Sequence, residues 1–226
     1  MWDAQMPVFG QHYRALRYHL RGFGDSIMPP GEYSHSDDLR GLLDHWGVER
    51  AHLIGVSQGG RVALEFALEH PARAASLILC APGLRGYDYS ESIGRYAEAN
   101  DAAIAEGDLA RAVALDAQMW IDGPKRRPEQ VDPDFRARAQ ALAADVYRQV
   151  PEVGTERSLQ PPALDRLWEI AAPALVLVGE YETPDFINIA GMVAFALARA
   201  QKAMIAGAAH LLPMEMPDAF NTRALA

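Results

Sequence analysis

A serine flanked by glycines is the residue best suited to carry chemistry. Residues 55–59 read Gly-Val-Ser-Gln-Gly, which matches the pattern G-x-S-x-G, and Gly60 follows. The pattern comes after an apolar run and opens a helical segment, the context in which it marks a sharp strand-to-helix turn. We expect the turn to expose Ser57 as a nucleophile, with small residues at positions 55 and 59 permitting close backbone packing. The N–H of Gln58 is the predicted oxyanion donor.

A serine nucleophile needs a general base, and chain order points to His210. Hydrolases with this turn place an acid and then a histidine after the serine. His210 is the only histidine beyond residue 83, in a loop after the last predicted strand. The earlier histidines show no metal-ligand spacing, so no metal site is predicted. They are His12, His19, His35, His45, His52 and His70.

Three carboxylates compete for the role of the acid, which holds the histidine tautomer and stabilises imidazolium. Glu180, Glu182 and Asp185 all follow the fourth predicted strand, and spacing does not choose among them. Asp185 also stands where it would cap the predicted helix that begins near Phe186.

Short apolar runs alternate with amphipathic stretches along the chain. The runs predict strands at residues 14–20, 51–56, 75–79, 174–178 and 202–206. The amphipathic stretches predict helices at about residues 36–46, 58–70 and 186–199. Nearly continuous apolar strands separated by helices predict an α/β fold, with a mostly parallel sheet of about five strands flanked by helices.

The stretch from Gly86 to Ala172 interrupts this alternation. It has helical periodicity and no strand-like run. We therefore predict a helical cap at 86–172, inserted between the third and fourth strands of a core formed by residues 1–85 and 173–226. The candidate lining residues of a pocket under this cap are Tyr87, Tyr89, Met119 and Trp120.

Four segments together resemble the α/β-hydrolase family, close to its small esterase, lactonase and carbon–carbon hydrolase branch. They are residues 21–26, 55–60, 177–182 and 207–210, with Glu215 and Pro217 behind the last. In that family the acid ends a G-x-x-D pattern, a position that Glu182 occupies here, with Asp185 as the alternative. The resemblance implies an enzyme without a cofactor, in which Ser57 attacks a small ester, lactone or related carbonyl and His210 acts as the base.

The same resemblance implies a feature that this chain lacks. Family members usually begin with a hairpin and a further strand that ends in a His-Gly turn, which supplies the second oxyanion N–H. Three explanations are open: a start upstream of Met1, a strand from a partner chain, or a poorly active fragment. We expect a weak hydrolase, because losing one oxyanion donor costs about 3 kcal/mol of transition-state stabilisation. An unprotected strand also favours self-association.

Composition narrows the partners and the compartment. A formal net charge of -9 argues against a nucleic-acid or anionic-membrane partner, which leaves a small-molecule substrate. The single basic cluster, residues 125–127, is predicted to be a solvated loop. Cys80 is the only cysteine, and no signal peptide or bilayer-spanning run is visible, so we predict a cytoplasmic protein.

Two other functions use the same residues and stay open. A ligand-binding or signalling module on this fold would keep the Ser57 site as a receptor pocket. A cofactor-free peroxidase-like acyl enzyme would differ only in the attacking nucleophile. A dehalogenase is disfavoured, because that branch needs an aspartate where Ser57 stands.

Overall fold

A computed structural model describes residues 1–148 and 154–226, and its centre is a parallel sheet of four strands. The elements in the first half of the chain are α1 (Met6–Phe9), β1 (Glu32–Tyr33), α2 (His35–His45), β2 (Ala51–Val56), α3 (Gln58–Glu69) and β3 (Ala74–Cys80). Those between β3 and the next core strand are α4 (Glu91–Ala105), α5 (Leu109–Asp116), a π-helical turn (Ala117–Asp122), a 3₁₀ turn (Pro128–Gln130), α6 (Pro133–Arg148), β4 (Thr155–Glu156) and a 3₁₀ helix (Ala163–Glu169). The rest are β5 (Ala174–Gly179), α7 (Pro184–Ala196), β6 (Ala200–Ile205), α8 (Leu212–Glu215) and α9 (Pro217–Leu225).

The main sheet has the order β2-β3-β5-β6, with every neighbouring pair parallel. Its central strands are apolar because both of their faces are covered: Leu79 and Val176 on one face and Cys80 and Leu177 on the other are all fully buried. Helix α3 packs on β2 and β3, and α7 packs on β5 and β6. The α/β class with a helix-flanked parallel sheet is therefore confirmed.

The strand predicted at residues 14–20 is wrong. This stretch runs as irregular chain, with Leu16 and Tyr18 partly exposed, and β2 forms the edge of the sheet. A strand must pair its N–H and C=O groups with a neighbour, and a short apolar run does not supply one.

A second, two-stranded sheet escaped prediction. β1 pairs in parallel with β4, so that Tyr33 stands opposite Glu156. β4 lies inside the stretch where the sequence shows no strand-like run, and two residues are too few to produce a periodic signal. The remaining regular structure from Glu91 to Arg148 is helical.

Helix α2 illustrates how local chemistry sets an element boundary. The helix begins earlier than the periodicity indicates, because Ser34 is its N-cap and accepts a hydrogen bond from the N–H of Asp37. It ends at His45, and Gly47 follows the C-cap Trp46 with a φ of +63°, the left-handed conformation that glycine adopts without strain.

Buried side chains form separate clusters on the two faces of the sheet. Leu64 and Phe66 of α3 belong to one, and Phe9, Cys80 and Phe220 belong to the other. Cys80 packs as a small apolar residue, and burial raises the pKa of its thiol. Among the described residues, no helix is long and apolar enough to cross a membrane.

Candidate active site

Ser57 sits on a strained turn between β2 and α3. Its φ of +53° and ψ of −114° are uncommon for a residue with a side chain. Its N–H donates to the carbonyl of Cys80 at 2.9 Å, and its carbonyl accepts from the N–H groups of Arg61 and Gly83 at 3.0 Å each. Backbone groups on both sides therefore hold the turn in place.

Glycines make the turn sterically feasible, although not at both predicted positions. A Cβ at Gly55 would lie 2.2 Å from the carbonyl carbon of Gly59, and one at Gly60 would lie 2.9 Å from Cα of Pro82. A Cβ at Gly59 would meet nothing within 4 Å. The expectation that position 59 itself must be small is wrong, because its backbone is what crowds Gly55.

His210 and Glu182 meet in a buried hydrogen bond. Nδ1 of His210 lies 2.7 Å from Oε2 of Glu182, and the two side chains are 5% and 1% exposed. The N–H of Thr183 donates to the other carboxylate oxygen at 2.8 Å. An ionised carboxylate can only accept, so the proton lies on Nδ1 and Nε2 of the neutral ring is free to accept one.

The other two candidate carboxylates have different partners. Glu180 accepts a hydrogen bond from the N–H of Gly207 at 2.9 Å. Asp185 accepts from the N–H and the hydroxyl of Ser90, at 2.8 and 2.7 Å. Of the three, Glu182 is the one in contact with His210.

Two aromatic rings enclose the His210 imidazole. The ring centroids of Trp120 and Phe186 each lie 4.7 Å from that of His210. Phe186 and Ser57 also line the same cavity, so the Phe186 side chain lies between this cavity and the His210 ring. In the part of the chain that the structure describes, His210 is hydrogen-bonded to Glu182 and not to Ser57.

The cavity beside Ser57 has a volume of about 390 Å³. Its lining residues are Ser57, Gln58, Arg61, Gly83, Leu84, Arg85, Gly86, Tyr87, Tyr89 and Phe186. Of the predicted lining residues, Tyr87 and Tyr89 are present, Trp120 packs behind Phe186 at 5.5 Å between ring centroids, and Met119 is not among the cavity walls. Gln58 begins α3, so its N–H has no acceptor within the helix.

A cluster of four charged side chains borders the cavity, and sequence reasoning missed it. Arg61 donates to Glu65 at 2.9 Å and to both carboxylate oxygens of Glu156 at 2.9 and 3.0 Å. Arg85 pairs with the same two glutamates. Arg61 and Glu65 are four residues apart, a spacing that indicates an ion pair on one helix, so the sequence could have indicated these two members of the cluster.

The two glutamates of this cluster respond differently to their surroundings. Burial acts to raise the pKa of Glu156, but the hydrogen bonds and charge of Arg61 outweigh it, so the net pKa is lowered. Burial raises the pKa of Glu65 in spite of the neighbouring arginines.

Residues 1–148 and 154–226 contain no group of three or more His, Cys, Asp or Glu side chains that could hold a metal ion.

Comparison with known proteins finds that the chain is similar to hydrolases. The family described as the α/β hydrolase fold matches residues 1–217. A hydrolase from Pseudomonas aeruginosa PA01 superposes with a TM-score of 0.77 at 29% identity, over 99% of this chain and 83% of that one. The enol-lactonase from Burkholderia xenovorans LB400 gives 0.76 at 25% identity, over 99% and 84%.

Curated relatives match over shorter stretches. The 2-hydroxy-6-oxononadienedioate/2-hydroxy-6-oxononatrienedioate hydrolase of Comamonas testosteroni is 53% identical over 81 residues, which are 34% of this chain and 28% of that protein. Matches to three further relatives span 31%, 27% and 59% of those proteins. The chain therefore covers less than two thirds of the length of these relatives.

Proposed function

Because the chain belongs to the α/β hydrolase fold family, we propose that it is a serine hydrolase with Ser57 as nucleophile, His210 as general base and Glu182 as the acid that orients it. The observation that carries this proposal is the buried 2.7 Å contact between His210 Nδ1 and Glu182. It fixes the tautomer in which Nε2 accepts a proton, as a general base requires.

The proposed reaction begins when Ser57 Oγ attacks a carbonyl carbon and His210 Nε2 takes the serine proton. The N–H of Gln58, at the N-terminus of α3, donates to the oxyanion that forms. His210 then passes its proton to the leaving group, and a water molecule activated by the same ring releases the acyl group. Glu182 stays ionised and stabilises the imidazolium. Ser57 and His210 share no hydrogen bond in the described structure, so the proposal requires Ser57 Oγ and His210 Nε2 to come within hydrogen-bond reach when substrate binds, as catalytic hydrogen bonds often do.

The cavity supports a substrate of small size. A volume of about 390 Å³ suits a small molecule, and Tyr87, Tyr89 and Phe186 give it an apolar wall. We propose an ester, lactone or related carbonyl compound, with the stretch at 86–172 acting as a cap that sets substrate size. The names of the relatives, a lactonase and a hydrolase of oxo-dienedioates, support a carbonyl substrate without choosing one.

A fluorophosphonate probe tests the nucleophile. We expect the purified chain to be labelled at Ser57 and to hydrolyse p-nitrophenyl acetate or butyrate, and we expect Ser57→Ala to lose both properties. The matched control is Ser92→Ala, which alters an exposed serine of α4 and should leave labelling and turnover unchanged. Labelling that persists in Ser57→Ala contradicts the assignment of the nucleophile. Absence of turnover over a panel of esters and lactones contradicts the enzymatic proposal and favours a binding module.

A further inference from the structure

Arg126 does not lie in solvent, although it belongs to the basic cluster predicted as a solvated loop. Its neighbours Lys125 and Arg127 are exposed as expected. The Arg126 side chain instead turns inward and is 7% exposed. A buried guanidinium is costly unless hydrogen bonds and a counter-charge satisfy it, so its contacts indicate what it holds together.

On the side of the 86–172 stretch, Arg126 binds the end of the π-helical turn. Its Nη2 donates to the carbonyl of Ile121 at 2.8 Å, and its Nε donates to the carbonyl of Asp122 at 2.9 Å. Carbonyls at a helix C-terminus lack partners within the helix and carry partial negative charge, which a cation satisfies. This is the turn that presents Trp120 to the His210 ring.

On the side of the core, Arg126 binds the loop that carries His210. Its Nη1 donates to the carbonyl of Gly207 at 3.1 Å and to Oε1 of Glu215 at 2.6 Å. The other oxygen of Glu215 accepts from the N–H of Ala209 at 2.8 Å, one residue before His210. The ion pair is thus connected to the backbone of the histidine loop at two points.

The loop that carries Glu182 is also in contact with this guanidinium. Arg126 lies over the ring of Tyr181, with its Cζ 4.7 Å from the ring centroid. Tyr181 precedes Glu182, and its N–H donates to the carbonyl of Ala208 at 2.9 Å. One side chain therefore touches the three segments that hold Trp120, Glu182 and His210.

We propose that Arg126 is a positioning residue which, through Glu215, fixes the loop of His210 relative to Glu182 and to the π-helical turn. The proposal rests on the catalytic roles proposed above for His210 and Glu182. A planar guanidinium can donate to three carbonyls and a carboxylate while stacking on a ring, and a lysine ammonium cannot reproduce that geometry. Displacement of His210 would slow the chemical step without removing any wall of the cavity.

Three variants test this role, with thermal unfolding measured for each. Arg126→Met should lower kcat by about tenfold to a hundredfold, because small misplacements of catalytic groups cost that much, while KM changes little. Arg126→Lys should recover part of the loss. The double variant R126M/E215M removes both buried charges and should unfold near the wild-type temperature. Its kcat should stay as low as that of Arg126→Met, because the N–H of Ala209 loses its acceptor. The matched control is Arg127→Met at the exposed neighbour, which should behave as wild type.

A spectroscopic measurement separates this proposal from the proposed function. The proton shared by His210 and Glu182 should give a far-downfield ¹H NMR resonance, identified by its loss in His210→Asn, and Arg126→Met should shift or broaden it. A wild type that hydrolyses no ester overturns the proposed function and leaves this resonance to decide the role of Arg126. An unshifted resonance in Arg126→Met, or a double variant with wild-type kcat, overturns the positioning role.

Discussion

The Ser57 turn and the His210 loop are held in place by different kinds of contact. Ser57 is held through main-chain groups, with the carbonyl of Cys80 on one side and the N–H of Gly83 on the other. His210 is held mainly through side chains, by the Glu182 carboxylate and by the rings of Trp120 and Phe186.

This difference predicts where each half of the site is vulnerable. A turn fixed by its backbone fails when an added side chain takes up the space that the backbone needs. An imidazole fixed by side chains fails when one of those side chains is shortened or loses its charge. The variants below test this contrast, from the largest expected effect to the smallest.

Gly55→Val should have the largest effect, because its Cβ would lie 2.2 Å from the backbone of Gly59. We expect loss of the turn and destabilisation of at least about 4 kcal/mol, measured by urea unfolding. Gly59→Ala is the matched control, since its Cβ has open space and alanine in a helix gains about 0.5–1 kcal/mol over glycine. Equal stability of the two variants would contradict a turn limited by backbone space.

Glu182→Gln should leave the fold intact and lower kcat by about 10³- to 10⁴-fold, since a neutral amide permits the wrong histidine tautomer. Steady-state kinetics with an activated ester measure this effect. Asp185→Asn is the comparison, because Asp185 binds Ser90 rather than His210 and should cost less than about tenfold. A larger loss in Asp185→Asn would reverse the assignment of the acid.

Glu156→Gln tests the cluster of charged side chains that borders the cavity beside Ser57. Removing a partner of Arg61 and Arg85 should cost about 1–3 kcal/mol of unfolding free energy at neutral pH, because both arginines keep Glu65. The pKa of Glu156 is lowered in the folded state, so its contribution is present above the ordinary value of 4.5 and is lost as pH falls through the folded pKa.

The difference in unfolding free energy between wild type and Glu156→Gln should therefore narrow on acidification. Urea unfolding at neutral pH and at a pH below the folded pKa of Glu156 measures this change. Glu65→Gln is the comparison, because burial raises the pKa of Glu65 and a neutral side chain there should cost less. A gap for Glu156→Gln that stays constant with pH would mean that its charge does not stabilise the fold.

Substitutions of Trp120 should have the smallest effect, and they test how the ring beside His210 holds the imidazole. Trp120→Leu removes the ring against His210 and should lower kcat by about twofold to tenfold, the value of one aromatic contact. Trp120→Phe keeps a ring but loses the hydrogen bond from Nε1 to the hydroxyl of Tyr96, so it should lose less. Equal losses in the two variants would assign the effect to the hydrogen bond instead of the ring.

The contrast also explains what the sequence could predict. The G-x-S-x-G pattern indicates the Ser57 turn because the residues that must be small for steric reasons are adjacent in sequence. Apolar runs likewise indicate most of the strands. His210 followed from chain order, but Glu182 needed a family resemblance, because the 2.7 Å contact joins segments that are distant in sequence. The meeting of Arg126 with Glu215 depends on how the π-helical turn docks on the core, and no local pattern encodes that docking.

The failed strand at residues 14–20 has the same origin. Its apolar run is a local property, whereas a strand exists only beside a partner. β1 and β4 show the converse, since each is too short to be seen in the sequence and forms because the other is near.

The pairing of Arg61 with Glu156 joins residues 95 positions apart, which bears on how the site assembles. Closing so long a loop costs more conformational entropy than the four-residue spacing of Arg61 and Glu65, so the contact with Glu156 depends more strongly on the assembled fold. Because a chain is synthesised from its N-terminus, Ser57 emerges and can adopt its turn while Glu156 is still untranslated. A nascent chain of that length would contain Ser57 but would still lack Glu156, Phe186 and His210.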